Sequence, residues 1–196
     1  MIFFGAESGS DWALQEMNKQ ITTEQTLELA ARIRRFGIVP EFSFVIGNPR
    51  APERDTRETI RFIRRIKKLN PEAEIIVQHY IPTPHPDGMY GKVDGRVPFP
   101  TTPEGWASDR WLAFTTRQKP DMVWLPDRIQ RRINNFELVV NSRWPTIQDI
   151  LLPNWGRSML QCLSSWRYLF RYYEHPFELK WAQQFLALRK PRLESL

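Results

Sequence analysis

Apolar positions along the first eighty residues form short unbroken runs separated by stretches of helical spacing. Ile2 to Phe4 make one apolar run suited to a buried strand, and "GAESGSD" then supplies turn chemistry before "DWALQEMNKQ" takes up a helical pattern. Thr22, Thr23 and Gln25 offer an N-cap for a longer helix through "LELAARIRRF". Leu29, Ile33 and Phe36 fall on one face of it, Arg32, Arg34 and Arg35 face water, and Gly37 stands ready to stop it. "IVPEFSFVIGNP" reads as a second strand, its β-branched and aromatic residues running nearly unbroken as in strands covered on both faces. Asp55 with Glu58 makes a second capping signal, and Phe62, Ile63, Ile66 and Leu69 follow at helical spacing until Asn70 and Pro71. "AEIIVQHYIP" is the third strand. Apolar strands alternating with amphipathic helices make repeated βαβ units, which require a parallel sheet with helices packed on it.

Beyond Pro82 the pattern changes. "PTPHPDGMYGKVDGRVPFPTTPEG" is rich in Pro and Gly and has neither period, so it reads as a long loop leaving the third strand. From about Thr102 the chain turns helical through "PEGWASDRWLAFTTR", "PDRIQRRINNFELVVNSR", "WGRSMLQCLSSWRYLFRYYE" and "PFELKWAQQFLALRK", with Pro103, Pro126 and Pro176 where first turns tolerate them. The last two segments mix aromatics with Arg and Lys. Their expected arrangement buries the aromatics against the sheet while Arg stems cover the edges; docking on a membrane or a flat apolar ligand is the alternative.

Composition narrows the classes. At 196 residues and 41% hydrophobic content the chain suffices for one ordinary domain with an extension. The 28 basic and 22 acidic residues leave +6, but the cations are scattered through helical patterns as solvated faces, so no nucleic-acid partner is expected. The single cysteine, Cys162, excludes an internal disulfide framework and multi-cysteine metal sites within this chain. With no secretory leader and no apolar run of membrane-spanning length, the expected setting is reducing and cytoplasmic, with any membrane role peripheral.

In a parallel α/β sheet the loops leaving the carboxyl ends of the strands converge on one face, where ligand sites form. Here they are "GAESGSD", "IGNPRAPERD" and "YIPTPHPDG". An ionised Glu7, followed by Ser8, suits hydrogen bonds from an amine or a ribose hydroxyl; capping the helix near Asp11 is its structural alternative. Gly47 and Asn48, and Tyr80 to Pro82, suit the floor and wall of a pocket, unless Gly47 only permits a tight turn and Tyr80 belongs to the core. His79, His85 and His175 complete no metal spacing, so no metal site is expected. Neither a phosphate-binding glycine loop with its lysine nor a serine nucleophile elbow is present.

"FFGAESGSDWALQEMNKQITTEQTLELAARIRRFGIVPEFSFVIGNP" and "HYIPTPHPDGMY" resemble the second half of a radical S-adenosylmethionine (SAM) enzyme barrel, most closely the class with an amino-terminal cobalamin-binding domain. The resemblance covers about residues 1 to 90 and is carried by ESGSD, MNK, a G-x-P turn after the second strand and a proline-rich turn after the third. It implies an α/β fold, the C-terminal half of a partial TIM-type barrel whose first strand here is the fourth of six, followed over 91 to 196 by a loop and a mainly helical extension. By that likeness Glu7 and Ser8 border the cofactor, Glu7 binding its amino or ribose part. Lys19 meets its carboxylate, Ser43 approaches the ribose where relatives often carry Asp, Gly47 sits in the turn, and the backbone around His79 and Tyr80 forms the adenine wall.

One departure bears on activity. The family holds a four-iron four-sulfur (4Fe-4S) cluster on a C-x3-C-x2-C loop, and Cys162 alone cannot supply those thiolates. The resemblance therefore implies a C-terminal fragment, truncated or split, that contributes part of the SAM pocket. The cluster and, in this class, cobalamin would belong to an intact enzyme or a complementary N-terminal half, acting on an unidentified small-molecule substrate by radical or methyl transfer. The competing expectations are a non-catalytic module that binds a partner or membrane, and an independent α/β enzyme.

Overall fold

In the computed structural model Ile2–Glu7 form strand β1, Pro40–Ile46 β2 and Glu74–His79 β3, paired in the order β1-β2-β3 with both pairs parallel. The structure describes residues 1–80, 99–109, 111–112, 125–145 and 152–186. The register sets Phe4 beside Phe42 and Gly5 beside Ser43, then Phe42 beside Ile75 and Ser43 beside Ile76. As the middle strand, β2 is buried along nearly its whole length, the reason its sequence runs unbroken. Phe42, Phe44 and Ile46 are fully buried, and the Phe44 ring lies 6.2 Å from that of Phe62 in the helix layer. Strand alternation then turns Glu41, Ser43 and Val45 to the opposite face. Burial and the nearby Glu74 raise the carboxyl of Glu41 above its ordinary range. On β1 the side chains of Ile2 and Phe3 are exposed.

Helices α1 (Asp11–Glu16) and α2 (Thr23–Ile33) join β1 to β2, and α3 (Pro52–Leu69) joins β2 to β3. Thr22 caps α2 in a full capping box with Gln25, as expected. A 3-10 turn, Arg34–Phe36, then runs into Gly37, whose φ of 64° closes the helix. Leu27, Ala30 and Ile33 are buried and Leu29 packs against the core, whereas Phe36, the last residue of the 3-10 turn, is exposed. In α3 the expected cap is corrected: Ala51 is the N-cap, and Asp55, already inside the helix, reaches elsewhere. Phe62, Ile63 and Ile66 are buried and Leu69 is partly exposed. Asn70 ends α3, and its Nδ2 donates to the Ala30 carbonyl at 3.1 Å, tying α3 to α2.

The described residues beyond β3 form α4 (Pro103–Trp106), α5 (Asp127–Arg143), α6 (Asn154–Phe170) and α7 (Phe177–Phe185). Three of the four expected helices appear near their expected places. The one expected over 103–117 appears as the single turn α4 plus helical residues at Trp111 and Leu112, with 110 and 113–124 outside the described residues. Most of the expected loop, 81–98, lies outside them too. Helix α5 packs on β3 and α3 and sends Ile133, Phe136, Val139 and Val140 into the core shared with the sheet. Between α6 and α7 the buried Arg167 donates to both carboxylate oxygens of Glu178 and to the carbonyls of Glu174 and His175. That pairing holds the Glu178 carboxyl below its ordinary range.

The expected burial of the carboxyl-terminal aromatics fails for most of them. Tyr173 is buried and Tyr168 packs against the core, but Trp155, Trp166, Phe170, Phe177, Trp181 and Phe185 are 44–72% exposed. On α6, Trp155, Trp166, Leu169 and Phe170 fall on one stripe at helical spacing, and on α7 so do Phe177, Trp181 and Phe185. The Trp155 and Phe185 rings lie 6.4 Å apart, so the two stripes meet. The core face of α6 is filled instead by small and aliphatic residues, Gly156, Leu160 and Ser164.

Candidate functional site at the carboxyl end of the sheet

The site begins with an irregularity in β1. The β1–β2 register shifts between Gly5 and Glu7, and Glu7 adopts φ 61°, a left-handed conformation that a glutamate seldom takes. The bulge folds the Glu7 side chain back over its own strand. A Cβ placed on Gly5 would stand 2.8 Å from Glu7 Oε1, so the carboxylate occupies the space a side chain at position 5 would fill. Gly5 pairs with Ser43, and parallel partners present the same face. The Glu7 carboxylate and the Ser43 hydroxyl therefore share the face opposite Phe42, Phe44 and the helix layer. Lys19, beyond α1, joins them: its Nζ donates to Glu7 Oε1 at 3.0 Å, with the lysine side chain 39% exposed and the glutamate 17%. Glu7 does not cap α1; Ser10 is the N-cap and makes no side-chain cap bond.

A second layer of polar contacts, centred on Asp55, holds the loops in place. Its Oδ2 accepts the backbone N–H of Gly47 at 2.9 Å and of Asn48 at 3.1 Å, and its Oδ1 accepts the Ser8 hydroxyl at 3.3 Å. One buried carboxylate thus binds the turn after β1 to the turn after β2. Burial raises its pKa above the ordinary 3.8, against the lowering effect of the two N–H groups and the hydroxyl. Gly9 draws the same turn onto α3, its N–H reaching Thr59 Oγ1 at 3.1 Å. At the rim, Glu16 accepts from Asn48 Nδ2 at 2.7 Å and from Arg50 at 2.9 Å, linking α1 to the β2 turn.

The residues singled out in the sequence thus divide. Glu7, Lys19 and Ser43 converge on one face. Ser8 is fully buried with its hydroxyl turned to Asp55, on the α3 side. Gly47 has φ 103° and contributes its N–H to the Asp55 lock, so its conformational freedom serves the turn. His79 is in register with Ile46, and its Nε2 lies 2.9 Å from Asn134 Oδ1 of α5, placing the imidazole on the helix side. Tyr80 is buried, and its N–H donates to the Ile46 carbonyl at 2.9 Å, so the backbone continues along the sheet end. Gly5 was missed in the sequence, although a glycine inside a strand often marks a bulge. Among the described residues no group of three or more His, Cys, Asp or Glu stands as a metal site, and no helix is long and apolar enough to cross a membrane.

Comparison with known proteins finds partial relatives. A tRNA-2-methylthio-N(6)-dimethylallyladenosine synthase of Wolbachia from Brugia malayi is 37% identical over 68 residues, 34% of this chain and 15% of that protein. The enzyme of the same name from Clostridium botulinum strain Eklund 17B is 36% identical over 70 residues, again 34% of this chain and 15% of its own length. An uncharacterised methyltransferase of Pyrococcus horikoshii is 33% identical over 85 residues, 43% of this chain and 17% of that protein. The matched stretch is thus about a sixth of each relative or less. No family model and no solved structure matches. These low-identity, partial matches support a relationship to radical SAM enzymes.

Proposed function

We infer that the β1–β2–β3 layer is the second half of a partial radical SAM barrel and that its inward face forms part of an S-adenosylmethionine pocket. The observation that carries this reading is the Glu7–Lys19 pair held over Gly5 on the face of Ser43. The methionine end of SAM carries an ammonium and a carboxylate, and these two side chains match it charge for charge. On binding, Glu7 would accept from the ammonium and Lys19 donate to the carboxylate, exchanging one ion pair for two. Ser43 adds a hydroxyl for the ribose, while Tyr80 and the backbone beside His79 border the adenine. With the cluster bound, the family's chemistry is reductive SAM cleavage, used for radical or methyl transfer and, in one class, combined with cobalamin. Three cluster thiolates exceed what this chain's single cysteine provides, so its own part is to bind and orient the cofactor.

Titration of the purified chain with SAM tests this. Glu7→Ala and Lys19→Ala are each expected to weaken binding about tenfold through loss of a charge-assisted contact. Unchanged affinity in both variants removes the assignment.

A second reading, a module that docks on a membrane, is favoured by the exposed aromatic face of α6 and α7. Trp and Tyr suit the membrane interface, and the exposed Arg171 that follows α6 adds attraction to anionic lipid. Co-sedimentation with anionic vesicles, lost in a Trp181→Ser, Phe185→Ser variant, would support it. Equal recovery of both proteins in the supernatant would dismiss it.

A further inference from the structure

A concavity lies on the helix side, between the first turns of α3 and α5 and the segment that opens α7. Its volume is about 380 Å³, and five of its lining side chains are Arg or Lys against two glutamates. Of the five, Arg128 is neutralised by Glu53, and Arg131 reaches Asp127 at 3.9 Å. Arg57, Arg132 and Lys180, one from each of the three walls, make no ion pair among the described residues. Such convergence of unpaired cations from separate elements disfavours an empty cleft and favours an anion.

We propose that this cleft binds a compact phosphate-bearing ligand of the pyrophosphate type. Two guanidinium forks match phosphate oxygens in pairs, and Lys180 supplies a point charge. The site is bounded on three sides and is the size of a small-molecule pocket, unlike the open basic stripe that tracks a polymer backbone. Glu53 is already paired with Arg128, so Glu174 is the one lining carboxylate left to oppose an anion, against three cations without an ion pair among the described residues. The site stands apart from the Glu7 face and does not rest on the SAM reading.

Isothermal titration of the 196-residue chain with inorganic pyrophosphate at low salt tests the proposal. The expected result is saturable 1:1 binding, weakened roughly tenfold or more in Arg57→Gln, Arg132→Gln. Arg57, Arg132 and Lys180 are exposed, so Lys180→Gln gives an independent loss without a folding defect. No saturable heat, or affinity unmoved by all these variants, overturns the site. Tighter binding of a short RNA oligonucleotide with the same dependence on Arg57 and Arg132 overturns the small-ligand assignment.

Discussion

Asp55 accepts the backbone N–H of Gly47 at 2.9 Å from a position inside the first turns of α3, so a helix side chain fixes the turn that leaves the central strand. Its other oxygen holds Ser8 of the preceding loop. Asp55→Ala would strand two buried N–H groups and a hydroxyl and is expected to cost about 3 kcal/mol in chemical denaturation. Asp55→Asn should cost clearly less, because a group whose pKa burial has raised tolerates a neutral isostere. The sign follows from linkage. With a folded pKa above 3.8, the native state holds its proton longer than the unfolded chain, so wild-type stability falls as pH rises through that window. The variant is expected to lack that slope.

Gly9→Ala is expected to destabilise the site end by about 1–3 kcal/mol. A Cβ there would lie 2.5 Å from Thr59 Cα and 2.6 Å from Phe62 Cβ, and neither is the free end of a flexible side chain. The turn must then lift from α3 and stretch the Gly9–Thr59 hydrogen bond. A lowered melting temperature checks this, and an unchanged one would show that the turn shifts freely.

Much of this was legible in the sequence because it is local. The run in "EFSFVIG" and the Thr22–Gln25 box state their own structure: the first can only be covered on both faces, and the second closes within three residues. Asp55 misled because a capping box and a long-range lock use the same residue types, and only the path of the chain distinguishes them. The Glu7 face was legible in its residues but not its geometry. That Glu7 folds back over Gly5 depends on a bulge, and a bulge is set by pairing with β2, some forty residues away. The aromatics of α6 and α7 show the limit of periodicity: it places Trp155, Trp166 and Phe170 on one stripe without saying whether that stripe meets the sheet or solvent.

Arg167 should be the residue whose loss separates α6 from α7. Four hydrogen bonds converge on its guanidinium from Glu178 and from the Glu174 and His175 carbonyls, while its own side chain is 6% exposed. Arg167→Met leaves those acceptors unmet and is expected to cost about 3 kcal/mol, the lower end for a buried pair because Glu178 retains partial access to water. Arg167→Lys keeps the charge but cannot span partners on both sides of the turn, so it should recover less than half of that loss. Recovery by lysine to wild-type stability would reduce the contact to simple charge pairing.

Lys67 carries the clearest pH signature. The side chain is buried on α3, donates to the Pro71 carbonyl at 3.1 Å and sits 5.0 Å from the centre of the Trp144 ring, with Glu74 nearby. Burial lowers its pKa from 10.5 to about 7, although Glu74 opposes the shift. A base with a depressed folded pKa binds fewer protons when native than when unfolded, so its burden on stability is full below pH 7. That burden is relieved as pH climbs from about 7 toward 10.5. Wild type should therefore gain stability from pH 7 to 9.5 relative to Lys67→Met by an amount on the order of a few kcal/mol. At pH 6 the methionine variant should be the more stable of the two, offset in part by Glu74 losing its neighbouring charge. Parallel denaturation series on both proteins separate this effect from other groups titrating in the same range. Parallel curves across pH 7 to 9.5 would mean that Lys67 keeps an ordinary pKa in the folded chain.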